Sequence, residues 1–117
     1  MAGSEKLYEN KIKAFLKKEG IWYIKYWGGA EYTKAGIPDI LACVNGIFFG
    51  IEVKSATGKP SELQLFTIEE IKKSGGVAFV LYPKDFERFK STIKAIKNHQ
   101  TSDYSMIWDF GVIKGKE

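Results

Sequence analysis

Residues 36–54, GIPDILACVNGIFFGIEVK, decide the fold. Two apolar runs flank Asn45-Gly46, and Asn-Gly in that setting is a strong hairpin signal because both turn positions need a positive φ. A two-residue turn there pairs Val44 with Ile47 and Leu41 with Gly50, and it lands Asp39 opposite Glu52. Side chains two apart along a strand share a face. Ile40, Ala42 and Val44 therefore lie with Ile47, Phe49, Ile51 and Val53 on one wholly apolar face that must be buried. The opposite face carries Asp39, Glu52 and Lys54, with Leu41, Cys43 and Phe48 nearer the turn.

Residues facing each other across such a pair have Cβ atoms roughly 4.5–5.5 Å apart, and like charges at that distance repel. Two carboxylates held together need a proton or a cation between them. A hard divalent ion with oxygen ligands meets that need, and Lys54 adds a positive group beside Glu52. The competing reading is an edge hairpin with solvated charges, in which Lys54 only neutralises one acid.

The surrounding composition sets bounds. A chain of 117 residues makes one domain with one core, expected over about residues 5–98 of a single unit spanning 1–117. Hydrophobic residues at 44% and aromatics at 15% are globular values and exclude a disordered chain. A net charge of +4 suits a polyanionic partner, although scattered lysines on a solvated surface account for it equally. Cys43 is the single cysteine, so no internal disulfide forms and a reducing compartment is expected. No apolar run approaches membrane-spanning length, which predicts a soluble cytoplasmic protein. The one histidine, His99, falls at a helix end, so neither a Ser–His nor a Cys–His nucleophile is available.

Residues 5–19 read as an amphipathic helix capped by Ser4, with Tyr8, Ile12, Phe15 and Leu16 along one stripe. Glu9 sits at the shoulder of that stripe. It either serves the helix dipole from the first turn or points into a shared site, and Glu5 rivals it for that role. Residues 21–27, IWYIKYW, read as a strand, with its aromatics in the core or free to stack on bases. A polar loop follows, reaching Ala35 through Lys34. Ser61 and Gln64 match a capping box opening a helix over 61–74, with Leu65, Ile68 and Ile71 as its buried stripe and Gln64 on the same side. The continuous apolar run Val77–Tyr82 reads as a central, doubly covered strand. A last helix over 84–98 turns Phe86, Phe89, Ile93 and Ile96 inward, and a short strand is predicted at 105–108. The order is α-β-β-β-α-β-α, an α/β fold with a mixed β-sheet flanked by helices.

Pro38-Asp39 followed by Glu52-Val53-Lys54 on the next strand resembles the signature of the PD-(D/E)xK nucleases, whose core is restriction-endonuclease-like. With Glu9 on the first helix, Gly36-Ile37-Pro38-Asp39 before the hairpin and Gln64 opening the next helix, the pattern resembles the VRR-NUC family, and it is similar to that of archaeal Holliday junction resolvases. The resemblance implies a metal-dependent DNA endonuclease that hydrolyses phosphodiester bonds with Mg²⁺ or Mn²⁺, and the likeness to the resolvases extends the expectation to branched DNA such as Holliday junctions. It implies Asp39 and Glu52 as metal-binding carboxylates with the Val53 carbonyl as a further ligand. Lys54 would orient or activate the attacking water, Glu9 would reach the metal directly or through water, and Gln64 would hold the site or contact phosphate. Lys34 and Ser55 would touch substrate. Related resolvases cut as two-fold dimers, so a homodimer is implied, from a bacterium or a phage-infected cell. The alternative is a non-catalytic DNA-binding module with the same fold.

Overall fold

In the computed structural model, which describes residues 2–28 and 33–98, the chain folds as helix α1 (Ala2–Lys18), strands β1 (Trp22–Lys25), β2 (Ile40–Val44) and β3 (Ile47–Val53), helix α2 (Glu62–Lys73), strand β4 (Val77–Leu81), a 3₁₀ turn (Pro83–Asp85) and helix α3 (Phe86–Lys97). The order is the one the hydrophobic periods predict. Helix α1 starts earlier than expected, so Ser4 lies inside it and does not cap it. The predicted strand at 105–108, His99 and loop residues 29–32 lie outside the described residues.

The hairpin has the predicted register, with Val44 opposite Ile47 and Leu41 opposite Gly50. Asn45 and Gly46 take φ of 51° and 83°, the positive pair that a tight turn matching the strand twist requires. β1 pairs antiparallel with β2, and β4 runs parallel to β3 after the α2 crossover, giving a mixed sheet in the order β1-β2-β3-β4. β4 is thus an edge strand among the described residues, not a central one. Its continuous apolar run has another cause: both faces are covered. Val77, Phe79 and Leu81 enter the main core, while Ala78 faces α2.

α1 and α3 bury one face of the sheet. Ile12, Leu16, Phe89, Ile93 and Ile96 close over Ile40, Phe49, Ile51 and Leu81, with edge-to-face ring contacts running from Phe15 through Phe89 to Phe79 and Phe49. α2 covers the other face only at β3 and β4. It comes close because Gly50 has no side chain; a Cβ there would stand 3.1 Å from both Ile71 Cδ1 and Pro38 Cγ. Ile68 is buried in that contact, but Leu65 is exposed, contrary to the predicted stripe.

β1 departs from expectation in the same way. Trp22 and Trp27 are exposed rather than core: Trp22 lies on the side of the edge strand away from α1, and Trp27, just past the strand, has only the Lys6 and Lys25 ammonium groups over its ring, at 5.5 and 5.3 Å; Tyr23 packs on the core. Phe89 is fully buried at the centre of the aromatic cluster. Phe89→Ala is expected to lose about 3–5 kcal/mol of stability, read as a lowered urea midpoint at an unchanged slope.

Candidate active site

The end of the hairpin far from its turn gathers the charged residues. Asp39 directly precedes β2, and its Oδ2 accepts the Val53 backbone N–H at 2.9 Å. That bond clamps the Asp39 carboxylate against β3, where Glu52 leaves on the same face. Glu52 is 1% exposed, one of the few fully buried charged side chains. Its Oε2 lies 3.3 Å from Lys54 Nζ, two residues along the strand, whereas Oε1 is buried with no hydrogen-bond partner. Burial, and then the facing Asp39 charge, push the Glu52 carboxyl up to about 7, against the opposing pull of Lys54.

Glu9 approaches from α1. It is buried, and its Oε1 accepts from Lys25 Nζ at 2.9 Å. Lys25 also stands 3.4 Å from Asp39 Oδ1, so its ammonium links the helix acid to the hairpin acid. Lys13, one turn further along α1, lies 3.4 Å from Glu9 Oε2. Burial alone would raise Glu9, but the bonds and charges of Lys25 and Lys13 outweigh it and hold the carboxyl below its usual range. Burial likewise disfavours the charged form of Lys25, and Glu9 and Asp39 reverse that, raising it above the ordinary lysine value.

The sequence singles out Asp39, Glu52, Lys54 and Glu9, and the structure brings all four together, Glu9 through Lys25. Among the described residues no three carboxylate, histidine or cysteine side chains converge on one point. Gln64 is employed elsewhere: its Oε1 accepts the Ser61 N–H at 2.8 Å while Ser61 Oγ accepts the Gln64 N–H at 3.1 Å, the capping box of α2. Lys34 is exposed, and its backbone is tied to the Tyr26 hydroxyl by bonds of 2.8 and 3.2 Å. Ser55 starts the turn after Lys54, its carbonyl accepting Gly58 N–H at 3.1 Å.

Lys25 is the residue that sequence reasoning missed. The signal was there: it is the one charge in an aromatic strand, at a position the register sets beside Ile40 and hence next to Asp39.

The donors fit a hard divalent cation. They are oxygen-only, they include a buried carboxylate oxygen with no partner, and they hold two like charges in contact, which a cation between them would relieve. Asp39 and Glu52 would be its protein ligands, with water completing the shell, the arrangement Mg²⁺ favours.

A raised folded-state pKa means the folded protein holds its proton where the unfolded chain has released it. Stability from this source is complete below the ordinary glutamate value of 4.5 and is lost as pH rises through about 7. In EDTA, unfolding free energy is expected to fall by up to about 3 kcal/mol between mildly acidic and mildly alkaline pH. Glu52→Gln should flatten that slope and be the more stable protein at the alkaline end. Urea titrations across pH test both statements, and an equal slope in the variant would refute the assignment.

The sequence matches the family described as archaeal Holliday junction resolvase (Hjc) over residues 3–106, nearly the whole chain. No curated protein and no solved structure matches. The matched span contains every residue of the site above together with the whole described fold, and the helix-first mixed sheet is that of a restriction-endonuclease-like core. The chain belongs to the archaeal Holliday junction resolvase family of the PD-(D/E)xK nucleases, metal-dependent endonucleases selective for the structure of branched DNA.

Proposed function

We propose that Asp39 and Glu52 hold one Mg²⁺ or Mn²⁺ ion and that Lys54 is the group that acts on the attacking water. The observation that carries this reading is the partnerless Glu52 oxygen, buried against Asp39 at the mouth of the hairpin. A divalent ion there supplies Lewis-acid chemistry, making water a nucleophile near neutral pH and neutralising the scissile phosphate. Lys54 shares a face with Glu52, and its ammonium is held within reach of that carboxylate, positioned to orient the water and to steady charge building on the phosphate. The Val53 carbonyl is our candidate for a further ligand, supported by its N–H anchoring Asp39.

Glu9 acts on the site from behind Lys25, directly or through water, while Lys34 and Ser55 sit where they could meet the substrate. Gln64 contributes by fixing the start of α2. The likeness to the VRR-NUC family is one of motif order, and the whole chain forms a single nuclease unit working on DNA in the cytoplasm. Asp39, Glu52 and Lys54 are all intact and gathered, which favours an enzyme over a binding module that merely keeps the fold.

We read the working form as a homodimer, because resolving a four-way junction takes two symmetric cuts. Support comes from the uncovered half of the sheet. Trp22, Cys43 and Phe48 form one cross-strand row on the α2 side, and all three are exposed. Leu63, Leu65 and Phe66 of α2 are exposed as well. Contiguous apolar surface of this kind is uncommon on a monomer, and a two-fold axis would lay it against itself.

Asp39→Asn is expected to abolish cleavage and weaken Mn²⁺ binding sharply, whereas Lys54→Ala should lose cleavage at unchanged Mn²⁺ and junction affinity. Calorimetry with Mn²⁺ alone separates the two roles. Glu9→Ala should impair cleavage far more than Glu5→Ala, since Glu9 alone of the pair is buried in the ion-pair network. Light scattering should give a dimer mass for the native chain and a monomer mass for Trp22→Glu/Phe66→Glu. A native monomer that cuts junctions no better than linear duplex would defeat the dimer and leave the metal site standing.

A further inference from the structure

β3 and β4 are parallel, so the catalytic strand and its neighbour end at the same edge of the sheet, where parallel α/β structures bind their ligands. The last rung is Lys54 N–H to Leu81 O, at 3.3 Å. Beyond it the chain opens into the 55–60 loop on one side and the Tyr82–Lys84 turn on the other. Between them lies a cleft of about 530 Å³, lined by Thr57, Gly58, Lys59, Tyr82, Pro83 and Lys84.

This cleft is a built feature. Tyr8 of α1 donates its hydroxyl proton to the Tyr82 carbonyl at 2.7 Å, and the Tyr82 hydroxyl donates to the Gly58 carbonyl at 3.1 Å. Gly58 in turn packs against the catalytic strand's end: a Cβ on it would stand 3.4 Å from Lys54 Cδ and 3.3 Å from Ser55 Oγ. The floor is thus tied to the first helix and to the stem of the lysine of the proposed active site, so its position relative to Glu52 and Lys54 is set by hydrogen bonds and packing.

What sets its charge apart is position: Lys11, Lys17, Lys18, Lys34, Lys73 and Lys94 also lack a carboxylate partner among the described residues, but Lys59 and Lys84 face one cleft. Lys6, Lys13, Lys25, Lys54, Lys72, Lys90 and Lys97 all lie within ion-pair distance of a carboxylate. Lys59 and Lys84 are exposed on opposite walls of the cleft, and neither has a carboxylate partner among the described residues. Asp85, next to Lys84, acts electrostatically on Tyr8 and is absent from the lining. Two unneutralised ammonium groups on an open, backbone-walled cleft suit a polyanionic chain better than a base or a small apolar ligand.

We propose that this cleft seats the sugar–phosphate backbone of the strand being cut, on the β4 side of the scissile phosphate, with Lys59 and Lys84 as its phosphate contacts. The inference rests on the reading of Asp39, Glu52 and Lys54 as the nuclease site. It assigns the cleft positioning and no chemistry.

The test is fluorescence anisotropy of a labelled four-way junction in EDTA, from ~50 to ~200 mM salt, where each phosphate contact contributes about 0.9 to the log–log slope. Lys59→Ala/Lys84→Ala should weaken binding about tenfold or more and lower the slope by roughly 2, with Mn²⁺ affinity unchanged. Lys17→Ala/Lys94→Ala removes the same charge from exposed positions on α1 and α3 and should bind nearly as the native protein does. A native slope and affinity in the cleft variant overturn the inference while leaving the nuclease reading intact, as does an equal loss in the two double variants, which would show net charge alone. Failure of the native protein to bind the junction overturns the nuclease reading and this inference with it.

Discussion

Burying the apolar face of the β2–β3 hairpin forces Asp39 and Glu52 together. Ile40, Ala42, Val44, Phe49, Ile51 and Val53 are nearly inaccessible to solvent, and the alternation of side chains leaves the two acids no other side to occupy. Slipping the register by one residue would separate the carboxylates but would also turn every core residue outward. The core therefore holds a like-charge contact that neither acid would adopt alone. Strain of this kind is tolerable because the burial of these six apolar side chains far exceeds one repulsion.

Three lysines distribute the resulting charge. Lys54 leans on Glu52, Lys25 spans Glu9 and Asp39, and Lys13 backs Glu9 along the helix. The compensation is uneven. Each keeps one buried oxygen without a hydrogen bond, but that of Glu9 has the Lys13 ammonium 3.4 Å away and the acid is held ionised, whereas Glu52 is pushed toward its protonated form. Two residues of one type are shifted in opposite directions by environment alone. The one that favours its proton faces the other hairpin acid, and there an added cation gains most. A cation bound there would have to displace the proton, so its affinity would weaken as the pH falls below neutrality.

The helices divide the remaining labour. α1 and α3 make the core and leave only Glu9 and Tyr8 reaching toward the functional edge. α2 sits on the other face over β3 and β4, admitted by Gly50, and stops short of β1. That asymmetry leaves an apolar half-sheet uncovered on the same face as Asp39 and Glu52. An exposed apolar surface thus adjoins the acidic site.

Much of this was legible in the residues themselves, because the decisive contacts are local. Asn45-Gly46 admits one tight turn, that turn admits one register, and the register alone pairs Asp39 with Glu52. The capping box of α2 and the apolar stripes of α1 and α3 follow from spacing within single helices. What depended on how elements meet was not legible. An apolar run looks the same at the edge of a sheet as at its centre when helices cover both faces, so β4 was misplaced. Trp22, Trp27 and Leu65 have the composition of core residues, and only the packing of the elements shows that they stay exposed. Gln64 satisfied two patterns at once, and folding gave its side chain to the nearer partner, three residues away. Lys25 acquires its place between Glu9 and Asp39 only when α1, β1 and the hairpin converge, since no spacing along the chain encodes a three-body ion pair.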